Sequence, residues 1–149
     1  MEKIILKKAT LEDFNEVFLL EKNIRSKTYM AATTKKEVLE YFKESQIFLI
    51  KKDSETIGLT SFKKKPGNKA HINGLLIKPT FRGYGFSRQA MLLLFKKMSG
   101  VKHTFLEVHP HNVPALSLYL SLGFMINSWS DNRFGDGEPR LIMIKKQSY

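Results

Sequence analysis

The chain has 149 residues, of which 42% are hydrophobic and 26% charged, enough for one domain with a sizeable core and unlike a disordered segment. It contains no cysteine, which excludes disulfides, thiolate nucleophiles and cysteine-bound zinc and suits a reducing cytoplasm; an apolar run such as Met91 to Phe95 is far below the ~20 residues that cross a bilayer. Lysine and arginine (25) outnumber aspartate and glutamate (14), giving a net charge of +11 that attracts phosphate-rich partners in general without naming one.

Taken in order, Lys3 to Lys8 reads as a first strand rather than a signal peptide, lacking a small-residue cleavage site. Thr10 with Asp13 opens a helix that shows Leu11, Phe14, Val17 and Phe18 on one face. Thr34 and Glu37 open a second, with Val38, Tyr41 and Phe42 following at helical spacing. Ile47 to Lys51 is a compact apolar strand, and Asp53-Ser54-Glu55 turns it into a strand from Thr56 to about Lys63. Pro66-Gly67-Asn68 makes the next turn, into Ala70 to Lys78. Ala90, Met91, Leu94, Phe95 and Met98 mark a third helix, with Gly100 in the place of a C-terminal cap. Thr104 to Val108 is a strand broken by Pro110 to Asn112; Ala115, Leu118, Tyr119 and Leu122 form a fourth helix ending at Gly123. Phe124 to Trp129 and Leu141 to Lys145 are the last strands. No repeat or linker interrupts residues 1–149, so a single mixed α/β (α+β) domain is expected, with an antiparallel front and one βαβ-like unit behind.

The segment Arg82-Gly83-Tyr84-Gly85-Phe86-Ser87 lies between an apolar strand stopped by Pro79 and a helix. A strand, a glycine turn and a helix in series aim several main-chain N–H groups, and the positive end of the helix dipole, at one point. Glycine permits the unusual torsions and close approach that a phosphate requires, Ser87 is a candidate cap or hydroxyl donor, and Arg82 a candidate charged fork. The spacing is neither that of a nucleotide P-loop nor that of a dinucleotide-binding fold.

These residues resemble the signature of the GNAT family of N-acetyltransferases. Its Gln/Arg-x-x-Gly-x-Gly/Ala motif, after a strand ending Leu-x-Val-x-Pro, corresponds to Arg82–Ser87 after Leu75-Leu76-Ile77-Lys78-Pro79, with Ser87 replacing the final Gly or Ala. A second family pattern is matched in order and spacing by Leu106-Glu107-Val108, Asn112, Ala115, Leu118-Tyr119 and Gly123-Phe124. The resemblance implies a twisted mixed sheet of about seven strands flanked by four helices, and acetyl-coenzyme A as co-substrate with no metal.

It further implies roles. Main-chain groups of Arg82, Gly83, Tyr84, Gly85, Phe86 and Ser87 hold the pyrophosphate, while Leu75, Leu76 and Ile77 pair with pantetheine and place the acetyl carbonyl. Asn112 and Ala115 face the cofactor arm, although Asn112 before Pro114 also reads as a helix N-cap. Tyr119 is the general acid for the departing thiolate, although its position on an apolar stripe also suits core packing. The general base is Glu107 or His71. His109 and His111 lack further partners at ligand spacing and are not taken as a metal site. The stretch from Asp131 to Arg140 resembles the loop before the last strand in peptide N-acetyltransferases of the ribosomal-protein type, with Phe134 where a substrate-facing tyrosine is frequent.

The expected activity is acetyl transfer to an amine: a peptide α-amine, a lysine or a small molecule. A monomer or homodimer in the cytoplasm is expected, with no membrane. The basic surface disfavours polycationic acceptors. The alternative is an acyl-coenzyme A sensor without turnover, and nucleic acid ranks last because the lysines are not interleaved with aromatics.

Overall fold

In the computed structural model, which describes residues 2–146, the elements follow the expected order. They are β1 (Ile5–Lys8), α1 (Phe14–Lys22), α2 (Lys35–Glu44), β2 (Gln46–Lys52), β3 (Glu55–Lys65), β4 (Lys69–Ile77), α3 (Phe86–Lys97), β5 (His103–Val108), α4 (Val113–Ser121), β6 (Met125–Ser130) and β7 (Arg140–Lys146). The Thr10 start opens as a short 3₁₀ turn, Leu11–Asp13, before α1. There the Asp13 carboxylate accepts from the Thr10 N–H at 2.9 Å. At α2 the Thr34 hydroxyl accepts from the Glu37 N–H at 3.1 Å, as its spacing requires. The third helix stops one residue short of expectation. Met98 is its C-cap, and Gly100, at φ +78°, belongs to the following turn. Gly123, at φ +93°, does end α4, with the Phe124 N–H donating to the Tyr119 carbonyl at 3.0 Å.

Seven strands form one sheet in the order β1-β2-β3-β4-β5-β7-β6, parallel only between β4 and β5, which α3 connects. The run Ile47-Phe48-Leu49-Ile50 is apolar throughout because both faces of the sheet are covered. Ile47 and Leu49 pack with Val17, Leu20 and Val38 of α1 and α2, while Phe48 joins Met91, Leu94 and Leu122 beneath α3 and α4.

The feature that makes a site is the parting of β4 from β5. They pair only over Lys69–His71 against His103–Phe105, yet β4 continues to Ile77 and β5 to Val108. A bulge in β4 supplies the bend: Ser61 pairs with Gly74 and Phe62 with Ile72, leaving Asn73 as the extra residue. Asn73 is held by its side chain, accepting from Ser61 Oγ at 2.6 Å and donating to Ser45 Oγ at 2.7 Å. The next residue must be glycine, since a Cβ on Gly74 would lie 2.3 Å from Tyr41 Oη and 2.5 Å from Ser61 Oγ.

Candidate active site

Where β4 and β5 separate, a cleft of about 960 Å³ opens, with the glycine turn at one side and the β5 carboxylate Glu107 at the other. Leu75, Leu76, Ile77, Arg82, Gly83, Gly85, Phe86, Ser87, Asn112, Ala115, Tyr119, Glu107 and His71 all border it, so the structure gathers nearly every residue singled out from the sequence. Tyr84 is the exception: it is 65% exposed and does not border the cleft.

The turn is built by backbone torsion. Gly83 and Gly85 have φ of +85° and +80°, and a Cβ at either would meet nothing within 4 Å. Glycine is therefore required by the left-handed conformation rather than by crowding. Gly85 is the N-cap of α3, and no side chain caps that helix. The first internal bond of α3 runs from the Gln89 N–H to the Gly85 carbonyl at 3.2 Å, so the N–H groups of Phe86, Ser87 and Arg88 have no intrahelical acceptor. Ser87 is thus the second residue of the helix and not its cap. Arg82 also differs from a free charged fork, since its Nε donates to the Ile77 carbonyl at 3.0 Å and ties the turn to the end of β4. An uncapped helix start with two left-handed glycines before it suits a pyrophosphate.

Asn112 is the N-cap of α4, its side-chain oxygen accepting from the Ala115 N–H at 3.4 Å, while it also borders the cleft. The N-cap reading is thus the one the structure displays, and the side chain that makes the cap stands at the edge of the cleft. Tyr119 has both of its expected surroundings. Its ring packs edge-on against Phe124 at 5.8 Å in the main core, yet the residue borders the cleft. Burial pushes its phenol well above the ordinary tyrosine value.

The two candidate bases are hydrogen-bonded to each other. His71 Nε2 meets Glu107 Oε1, and the His71 ring stacks on its ladder partner Phe105 at 4.5 Å. The second oxygen of Glu107 accepts from Arg133 Nε at 2.7 Å. Burial opposes ionisation of Glu107, but the bond and charge of His71, with those of Arg133, outweigh it and hold the carboxyl below its ordinary range. As an ionised carboxylate only accepts, His71 Nε2 donates to it, which leaves Nδ1 as the ring nitrogen able to accept whenever the ring is neutral.

Several residues at the cleft were not found from the sequence. Tyr29 and Met30, from the chain between α1 and α2, lie on its border, in a segment without apolar periodicity. Arg133 was read as part of a polar loop, yet it crosses 26 residues of sequence to reach Glu107. Arg140 is 2% exposed, bonds Asp136 at 3.0 Å and sits 5.0 Å over the Phe134 ring, fastening the loop between β6 and β7. His109 is equally structural: its Nδ1 accepts from the His111 N–H at 3.0 Å and its Nε2 bonds Glu138 at 2.8 Å. Among the described residues no helix is long and apolar enough to cross a membrane.

Known proteins share this arrangement. Over 93% of its length the chain is 23% identical to an "N-alpha-acetyltransferase" of Sulfurisphaera tokodaii, 90% of which is covered. The crystal structure of the ribosomal-protein-S18-alanine N-acetyltransferase of Escherichia coli superposes with a TM-score of 0.82 at 18% identity, covering 99% of this chain and 96% of that one. A GNAT family acetyltransferase of Elizabethkingia anophelis, solved with acetyl-CoA bound, gives a TM-score of 0.78 at 16% identity, covering 99% of this chain and all of that one. The model of the acetyltransferase (GNAT) family matches residues 10–124. With more than half its length so matched, and the cleft at the parting of β4 and β5 in place, the chain belongs to the acetyltransferase (GNAT) family.

Proposed function

We propose that the protein transfers the acetyl group of acetyl-coenzyme A directly to an amine, with the α-amine of a peptide as the favoured acceptor, in the cytoplasm. The observation that carries this reading is the pairing of His71 with Glu107 in the same cleft as Tyr119 and the uncapped start of α3. The relative named as an N-alpha-acetyltransferase supports the choice of acceptor.

The chain's own groups divide the work. Main-chain N–H groups of the turn and of the first residues of α3 neutralise the pyrophosphate. The edge of β4 at Leu75 to Ile77, which β5 has left, pairs with the pantetheine arm and offers an N–H to the thioester oxygen. His71 Nδ1 takes the proton of the incoming ammonium, while Glu107, pinned by Arg133, fixes the tautomer and stabilises the imidazolium. The freed amine attacks the carbonyl carbon, the adduct nitrogen loses its remaining extra proton to solvent, and collapse of the adduct breaks the C–S bond to give the amide and the thiolate. Tyr119 gives its hydroxyl proton to the sulfur. Its raised value keeps it protonated at any working pH, and the same burial makes the thiolate a stronger base.

The test is thiol release from acetyl-coenzyme A with a panel of peptides, lysine derivatives and small amines. Peptide turnover that falls in Tyr119→Phe and collapses in His71→Ala is the expected result. Tight cofactor binding with no turnover on any acceptor would replace this reading with that of a sensor.

A further inference from the structure

On the α1–α2 face a second cavity, of about 490 Å³, opens beside the cleft and shares Asn73 and Met30 with it. Its border carries Glu21, Glu37, Glu40 and Glu44 against a single cation, Lys36, a local sign opposite to that of the +11 chain. Three of these carboxylates come from one face of α2 and are exposed. Their present partners are weak or partial: Glu40 has Lys43 at 3.8 Å, Glu44 has Lys63 at 3.2 Å, and Glu37 has the Thr33 hydroxyl at 3.4 Å.

The fourth is different. Glu21 stands with Val17 and Leu20 on the buried side of α1 and is 3% exposed. Ala32 N–H supplies a hydrogen bond to its carboxyl, but Oε2 is the one buried side-chain polar atom, among the described residues, without a partner. A buried carboxyl oxygen with nothing to accept from is costly, and it calls for a reason. The cavity that Glu21 borders supplies one, because a cation held there would offset through space the cost of its buried charge. Tyr41, Ser45 and Asn73 add neutral polar atoms to the same wall.

From these observations, and resting on the transferase reading above, we infer that this cavity is a subsite for a primary alkylammonium group carried by the acceptor and distinct from the amine that is acetylated. The geometry sets the spacing. Asn73, which borders both cavities, lies two residues along β4 from His71, about 7 Å, and that sets the scale of the separation between the two amines. A lysine side chain near a peptide N-terminus and a long diamine both meet this requirement. The subsite reverses locally the disfavour that the overall charge lends to cationic acceptors.

The experiment begins without acetyl-coenzyme A, so that it stands even if turnover is never found. Calorimetry with 1,6-diaminohexane and with hexylamine is expected to give at least about tenfold tighter binding for the diamine, and Glu21→Gln is expected to abolish the difference. Equal affinity for the two amines, or an unchanged difference in Glu21→Gln, overturns the proposal. Should that variant not fold, Glu40→Gln with Glu44→Gln, both on the surface, carries the test with an expected loss of about threefold. Turnover then separates the sources. Peptides with lysine at the second position are expected to exceed their norleucine counterparts about tenfold in kcat/KM, and this ratio falls toward one in Glu21→Gln. Selection of diamines over lysine peptides would assign the subsite to small amines, whereas no preference for either overturns it.

Discussion

The two walls of the cleft are made in contrasting ways. The wall at Arg82–Arg88 is contiguous in sequence and presents main-chain N–H groups. It needs left-handed glycines and an empty helix cap, and little from its side chains. The wall around His71 and Glu107 is assembled from β4, β5 and the loop before β7, and it works through side-chain pairs. A backbone cradle suits a donor that is the same in every turnover. A side-chain wall can be changed residue by residue, which a contiguous backbone turn cannot.

Breaking the side-chain wall should have the largest effect. His71→Ala is expected to lower kcat/KM by about 10²–10³-fold with little change in acetyl-coenzyme A affinity, measured by thiol release and by calorimetry. Glu107→Gln should fall by less and flatten the pH profile, since an amide cannot hold an imidazolium.

Next comes Glu21, whose burial raises its carboxyl from the ordinary 4.5 to about 7. A value raised by folding means that stability is full below pH 4.5 and is lost as pH climbs through 7. The span is worth about 3 kcal/mol at about 1.4 kcal/mol per pH unit. Tyr29 and Tyr41, which act on it, are pushed by burial further above the ordinary tyrosine value and stay uncharged in that window; Lys36, Glu37, Glu40 and Glu44 border the same cavity from α2. Denaturant melts should therefore find Glu21→Gln more stable than the parent at pH 8 by up to about 3 kcal/mol and nearly equal at pH 4.5. A constant difference across pH would contradict this origin.

The cradle is probed by Gly85→Ala. The methyl group has room, so the cost is the left-handed torsion alone, about 1–2 kcal/mol, and acetyl-coenzyme A binding is expected to weaken roughly tenfold with acceptor KM unmoved. The smallest effect should be that of Ser87→Ala. If main-chain groups bind the pyrophosphate, the dissociation constant changes by no more than about threefold. A larger change would mean that the hydroxyl, which departs from the family pattern, has become a ligand in its own right.

The order of elements was legible from the sequence because hydrophobic periodicity and capping pairs such as Thr34 and Glu37 act over a few residues. The cradle was legible for the same reason. Element ends moved by one or two residues where a turn competed, as at Met98. Glu107 and His71 each stood out as a base, but their pairing did not, since it depends on the parallel register of β4 against β5. Arg133 reaches Glu107 only because the loop before β7 folds back over β5. Glu21 was invisible: its position on α1 is that of a core residue, and a carboxylate there reads as a surface group.

What the sequence alone determined is the glycine turn and the helix start behind it, since torsional demands and helix polarity are local properties that a few adjacent residues carry. What the tertiary structure decided is the opposite wall, with its side-chain pairs. The bulge at Asn73, the parting of the strands and the burial of Glu21 all depend on contacts between residues far apart in the chain, which no local pattern records.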